Sequence, residues 1–376
     1  MKKTAIILTA ALSILALCAS AEETVKSRGF AVFEPSGKFK SYEFERHAPG
    51  DDEIEIKILY AGICHSDLHN IADDWGKQEY PMVPGHEILG QVVRVGKNVT
   101  RFKVGDYAGI GCLVNSCRTC DWCRRGLEQQ CAKKVSTYHA HDPFHGNEPT
   151  QGGYSTNYVL NADFAIKVPA SAKLERVAPL LCAGITTYSP IRFARVRRGD
   201  KTAVAGFGGL GHMAVQYLVC LGADVTVFDI TEEKRADALR LGARAYVNVN
   251  NPEEMKEHNN EFDFILSTIP QRYDMSVYLK MLKYGGMFGI VGIPANRDMP
   301  SLSLADFVFT PQRIVFGSLI GGIPETQEML DYSVAHNIYP EVEIIDPEPA
   351  AIDQAYKNVR AGKVKFRYVI DMSKLK

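Results

Sequence analysis

The stretch Ala203-Val204-Ala205-Gly206-Phe207-Gly208-Gly209-Leu210-Gly211 decides the fold. A short apolar strand runs into Gly-x-Gly-x-x-Gly, a helical stretch follows to Leu221, and a second apolar strand at 225–228 ends on Asp229. That is one strand–helix–strand unit. Its glycines let the backbone approach a pyrophosphate, whose charge the helix start favours, and the carboxylate of Asp229 follows at the distance expected for a ribose contact. The competing reading is a close-packed turn with no ligand; the strand before, the helix behind and the acid after favour a dinucleotide. Further strands near 264–266, 287–291 and 314–316 alternate with helices, which predicts an α/β domain with a doubly wound parallel sheet.

Upstream the texture differs. Ile54, Ile56 and Ile58 alternate with Glu53, Glu55 and Lys57, the pattern of a half-buried strand, and β-like or turn-rich segments follow at 91–95, 105–110 and 158–168 without a long amphipathic helix. This predicts a β-rich barrel or sandwich that gives way to the second domain near Ala178. After a helix around 325–336, β-like segments at 342–345 and 366–371 suggest that the tail rejoins the first domain. The expected divisions are 1–21, 22–176, 177–318 and 319–376.

The chain has 376 residues, 46% hydrophobic and 23% charged, which is enough for two globular domains. With 43 Lys plus Arg against 44 Asp plus Glu, no basic field exists to hold nucleic acid or an anionic membrane, so a small-molecule partner is the default. Residues 1–21 carry Lys2 and Lys3, an apolar run too short to span a bilayer comfortably, and Ala19-Ser20-Ala21 before two glutamates. They read as a signal peptide cleaved after Ala21, with no stable membrane anchor left behind. The expected location is therefore periplasmic or secreted; the alternative is a start codon placed too early and a cytoplasmic protein.

Four of the nine cysteines follow Cys117-x2-Cys120-x2-Cys123-x7-Cys131. Strict three-residue spacing suits convergence on one tetrahedral Zn²⁺ better than pairwise bridges, and four thiolates leave no open position, so this is a structural site. A dispersed set comprises Cys64 in Cys64-His65-Ser66-Asp67-Leu68-His69, then Gly85-His86-Glu87, then Cys182. Cys, His and Cys suit a zinc with an open fourth position, although any one of them alone is more often structural.

These motifs together make the sequence similar to the zinc-dependent alcohol dehydrogenases of the medium-chain dehydrogenase/reductase family, and within it to the cinnamyl-alcohol-dehydrogenase-like branch. The resemblance rests on Gly85-His86-Glu87-x2-Gly90-x5-Gly96-x2-Val99, the Cys64-His65-Ser66-Asp67 loop, the cysteine lobe, Cys182-Ala183-Gly184-Ile185-Thr186-Thr187-Tyr188 and the segment 206–212, and runs from about residue 26 to the end. It implies a GroES-like catalytic domain, an inserted Rossmann domain and a C-terminal return, with the active site between them. It further implies that Cys64, His86 and Cys182 bind a catalytic zinc, with Glu87 close enough to approach the metal, Asp67 fixing the His86 ring, and Ser66 and His69 relaying a proton.

Two Zn²⁺ per chain follow from the resemblance, with hydride exchanged between a primary alcohol, aromatic or broad-range, and NAD or NADP. Thr186, Thr268, Gly292 and Ser318 are expected along the nicotinamide half of the cofactor, after the glycines Gly206, Gly208, Gly209 and Gly211. Asp229 favours the diol of NAD weakly, while Lys234 and Arg235 pull towards a 2′-phosphate. Trp75, Cys112 and Phe309 are pocket walls or ordinary packing. The strand near 314–316 is expected to pair two chains into a homodimer. A reading from another class is an exported zinc-containing scaffold that keeps the fold without turnover.

Overall fold

A computed structural model describes residues 24–256 and 258–375. The leader reading at 1–21 lies outside the described residues. Six parallel strands form one sheet in the order Ala245–Asn248, Asp224–Asp229, Lys201–Ala205, Phe262–Ser267, Leu282–Ile290, Ile314–Gly317. Chain order reverses between Lys201–Ala205 and Phe262–Ser267, so a crevice opens beyond the carboxyl ends of those two strands. Helices cover both faces. Val204, Val227, Phe264 and Leu266 pack into one apolar cluster, while Ala203, Ala205, Phe228 and Ile265 pack into another on the opposite side. Burial on both faces explains why these strands read as continuous apolar runs. Ala245–Asn248 was not expected, because four residues carry too little periodicity to stand out.

The second sheet has seven strands. Ile166–Val168, Tyr107–Ile110, Ile88–Val95, Glu53–Ile63, Arg367–Asp371 and Val342–Ile345 lie in that order, and Asn157–Asn161 also pairs with Glu53–Ile63. The tail thus returns: Arg367–Asp371 runs antiparallel to Glu53–Ile63, with Tyr368 opposite Ile63. Ile54, Ile56 and Ile58 are fully buried. Glu53 and Glu55 on the other face are buried too, against the half-exposed expectation, because His47 and His145 reach Glu53 and Arg94 reaches Glu55 at 2.6 Å. The expected continuous β-segment at 158–168 is two strands separated by the 3-10 turn Ala162–Phe164, which Asn161 starts by accepting the Asp163 amide.

The helix Ala183–Phe193 begins immediately after Cys182 and packs on Gly211–Cys220 and Ile323–Ala335. The turn Ala178–Leu181 just before it packs on Glu53–Ile63 and Ile88–Val95, so this segment joins the seven-stranded sheet to the parallel one. No described helix is long and apolar enough to cross a membrane.

Candidate active site

Cys64 precedes the helix His65–Ile71, and the sequence places Asp67 one turn into it. Asp67, with no exposed surface, accepts the Cys64 amide at 2.9 Å and the Gly85 amide at 3.2 Å, and receives the Tyr154 hydroxyl at 3.2 Å. Its Oδ1 lies 3.1 Å from His86 Nδ1. One carboxylate thus fixes the loop carrying Cys64 and leaves the Nε2 edge of His86 facing the thiols. Cys182 Sγ lies 3.3 Å from that Nε2 and 3.9 Å from Cys64 Sγ. Tyr138 stacks on the imidazole, with ring centroids 5.8 Å apart.

Ligand atoms of Cys64, His86, Glu87 and Cys182 all lie within 4.8 Å of one another, and all four residues are buried. Glu87 pairs through Oε1 with the buried guanidinium of Arg367, while its Oε2 has no hydrogen-bond partner among the described residues. Two soft thiols, an imidazole nitrogen and an unsatisfied carboxylate oxygen in one dry place fit Zn²⁺. The electrostatics agree in direction. The hydrogen bond from Cys182 holds the Cys64 thiol well below its ordinary value against the cost of burial. Neighbouring Cys112 and Cys64 push Cys182 well above. Burial opposes charge on His86, but Asp67, Cys112 and Cys64 together outweigh it and raise the ring well above its usual value.

Ser66 Oγ sits 3.6 Å from Cys64 Sγ. His69 stands one turn on, its Nδ1 2.9 Å from Asp74 Oδ2 and its ring 4.6 Å from that of Trp75, while its buried Nε2 has no partner among the described residues. Sequence reasoning missed what holds this corner. Asp74 also takes Arg297 at 2.8 Å, and Trp75 Nε1 donates to the Pro294 carbonyl at 2.9 Å, so the loop after the catalytic helix is fastened to the nucleotide-binding half. Nothing in the spacing of these residues announces a contact across more than two hundred positions. Arg367 was missed for the same reason. Of the other expected walls, Cys112 adjoins Cys182, whereas Phe309 ends an exposed helix, Leu304–Phe309, with 83% of its surface free.

The cysteine lobe is compact. Sγ–Sγ distances are 3.5 Å for Cys120–Cys123, 3.6 Å for Cys131–Cys117 and 3.9 Å for Cys117–Cys123, and none of the four is in a disulfide. Amides of Thr119 and Cys120 lower the Cys117 thiol to about 6. Burial lifts Cys123 to about 12. Four convergent sulfurs with amide donors aimed at them fit a closed tetrahedral site.

At the nucleotide-binding sheet, Gly206 has φ of 92°, which a side chain would resist, and a Cβ on Gly211 would collide with the Gly206 carbonyl. Gly208 faces open space, leaving its backbone accessible at the start of the helix Gly211–Cys220. Gly209 lies against Arg367, so one guanidinium touches both the glycine loop and the carboxylate beside the thiols. These features fit a dinucleotide pyrophosphate. Thr268, Gly292 and Ser318 each follow the carboxyl end of a parallel strand, and Thr186 is buried in the helix after Cys182. Asp229 is already engaged: Oδ2 accepts the Phe207 amide at 2.6 Å, and Oδ1 accepts the amide and hydroxyl of Thr231 at 3.1 Å. Arg235 is committed to Glu232 and Glu254. Lys234 makes no side-chain hydrogen bond or ion pair among the described residues.

A two-domain nucleotide-binding dehydrogenase with a sulfur-rich metal centre is the class that this fold and site define. Residues 50–170 match the alcohol dehydrogenase GroES-like domain, and residues 209–335 match the zinc-binding dehydrogenase family. The chain is 46% identical to NADP-dependent alcohol dehydrogenase C 1 of Mycolicibacterium smegmatis, over 88% of its own length and 93% of the relative's. Among solved structures it is similar to CAD from Helicobacter pylori complexed with NADP(H), at 52% identity and TM-score 0.90 over 94% of this chain and 99% of that one. It is also similar to a cinnamyl alcohol dehydrogenase from Sorghum bicolor, at 37% identity and TM-score 0.89 over 93% and 98%. The chain belongs to the zinc-dependent alcohol dehydrogenases of the medium-chain dehydrogenase/reductase family, cinnamyl-alcohol-dehydrogenase-like branch, and is an NAD(P)-linked oxidoreductase of alcohols and aldehydes.

These relatives also correct the expected location. A periplasmic or secreted protein was inferred from residues 1–21, yet relatives whose own length is matched by 93% and 99% are enzymes of nicotinamide chemistry, named for NADP or solved with NADP(H). That chemistry draws on a pool not expected outside the cytoplasm, so export is not carried forward.

Proposed function

We propose that the protein reduces aldehydes and oxidises the corresponding primary alcohols, with aromatic and allylic side chains preferred and NADP(H) as cofactor. The observation that carries this reading is the convergence of Cys64, Cys182 and His86, oriented by Asp67, beside the crevice of the parallel sheet. Cys64, His86 and Cys182 would hold a catalytic zinc and Glu87 would stand by it, while Cys117, Cys120, Cys123 and Cys131 would hold a second, structural one. When bound, zinc supplies a Lewis acid for the substrate oxygen and the nicotinamide gives or takes the hydride. Ser66 moves the proton of the substrate hydroxyl, and His69, its Nδ1 on Asp74, carries it outward. Trp75 and Cys112 exclude water on one side. Thr186, Thr268, Gly292 and Ser318 line the nicotinamide half; Gly206, Gly208, Gly209 and Gly211 take the pyrophosphate.

The NADP assignment departs from the preference drawn from Asp229. Its carboxylate oxygens serve the glycine loop and Thr231, whereas Lys234 is uncommitted among the described residues and two of the relatives named above carry NADP in their name or complex. Steady-state oxidation of NADPH and NADH against a panel of aromatic and aliphatic aldehydes tests the reading. Faster turnover of cinnamaldehyde or benzaldehyde with NADPH, lost in Cys64→Ser, is expected. Equal turnover in that variant would overturn the metal assignment.

A further inference from the structure

A third cluster of ligating side chains lies on the catalytic half and shares no residue with either sulfur cluster. His47 ends the strand Lys40–His47, Glu53 begins Glu53–Ile63, and His145 sits in the turn between the short strands His141–Asp142 and Glu148–Pro149. The two imidazoles stack in parallel, centroids 4.0 Å apart and planes 7° apart. Both point Nε2 at the same carboxylate: His47 lies 3.1 Å from Glu53 Oε2 and His145 lies 3.0 Å from Glu53 Oε1. The opposite nitrogens are each held by a further carboxylate, His47 Nδ1 at 2.5 Å from Glu148 and His145 Nδ1 at 2.8 Å from Asp142. The three ligand atoms fall within 4.8 Å of one another.

We propose that His47, His145 and Glu53 form a third metal site, for a borderline divalent cation such as Zn²⁺ or Co²⁺, that clasps the amino-terminal hairpin and the 141–149 hairpin to the sheet. A carboxylate behind each imidazole is the arrangement that fixes the tautomer with Nε2 free and raises the basicity of a metal-bound histidine. Two imidazoles and one carboxylate suit metals of intermediate softness. A cavity of about 30 Å³ lined by His47, Asp142, His145 and Glu148 leaves room for one water on the Nδ1 side of the imidazoles.

The exchange balances in charge. Two imidazolium protons leave as one divalent ion enters, so two positive charges continue to face the carboxylates of Glu53, Glu148 and Asp142. Protons compete strongly. Burial opposes charge on His47, but Glu148 and Glu53 raise it to about 9; Asp142 and Glu53 raise His145 to about 10. Arg46, buried beside Glu148, retains its charge through the exchange and tempers the field. Binding therefore tightens as pH rises and releases protons to solvent.

The test uses the full chain with its zinc in place. Co²⁺ is added at pH 8.5, excess is removed by desalting, and retained cobalt and released protons are counted. We expect one cobalt per chain, a net release of protons on binding, and visible cobalt bands without a near-ultraviolet thiolate charge-transfer band. Glu148→Gln should weaken binding about 10–100-fold. His47→Gln and His145→Gln should abolish it, with aldehyde reduction unchanged. No retained cobalt in the wild type, or cobalt whose spectrum carries the thiolate band, overturns the site. Equal retention by folded His47→Gln and His145→Gln proteins does the same; should either variant fail to fold, the wild-type spectrum and proton count decide.

Discussion

Asp67 shows how much of the site hangs on one side chain. It anchors the backbone at Cys64 and Gly85, takes the Tyr154 hydroxyl and orients His86. Asn in its place would keep the volume but present a donor to at least one of these donors. Asp67→Asn should therefore lose about 10–100-fold in kcat and release zinc to a chelator more readily, measured by turnover and metal content together. Lys234→Ala should raise KM for NADPH several-fold and leave KM for NADH nearly unchanged; equal effects on both would remove Lys234 from the 2′-phosphate. Asp67, Cys64 and His86 were legible only through the family resemblance of the motifs that carry them, since their spacing alone leaves each more often structural. Arg367 was not, since one arginine in a buried strand has no neighbour in sequence to reveal Glu87 or Gly209 as its partners. Asp229 was legible as an acid at a strand end, but its attachment to the Phe207 amide depends on loop geometry that no spacing encodes.

Among the elements, the cysteine lobe and the seven-stranded sheet gain their stability differently. The lobe around the short helix Asp121–Arg124 has no fully buried residue in that helix, so on the proposed reading a bound metal would hold it. Cys120→Ser should lower the melting temperature and release about one zinc per chain before turnover at low temperature is lost, read by calorimetry and metal analysis. The sheet rests on burial. Ile56→Ala removes a fully buried side chain from Glu53–Ile63 and should cost about 2–5 kcal/mol of stability in denaturant titration. Five of the six parallel strands were legible in the sequence because burial on both faces leaves a short apolar run. Glu53 and Glu55 misled because charge in an alternating pattern looks solvent-facing, whereas partners far along the chain, His145 and Arg94, cover them.

For the molecule as a whole, the outer edge of the parallel sheet stands out. Among the described residues Ile314–Gly317 pairs on one side only, and Leu304, Val308, Phe309, Ile314 and Leu319 around it are all exposed. An unpaired edge beside apolar surface invites a second copy to extend the sheet. We expect light scattering to give twice the 41.7 kDa of one chain, and Phe309→Glu with Ile314→Lys to give the monomer. The return of the tail has a different consequence, in the order of assembly during synthesis. Glu53–Ile63 is made early, but its neighbour Arg367–Asp371 emerges about 300 residues later, roughly 15–60 s at 5–20 residues per second. Until then the central strand of the catalytic half has an open edge and Glu87 lacks its arginine, while every strand of the nucleotide-binding sheet has already been made. A ribosome-bound chain stalled before residue 367 should therefore carry a folded dinucleotide-binding unit beside an unfinished catalytic one, with Cys64, His86 and Cys182 already translated but not yet enclosed.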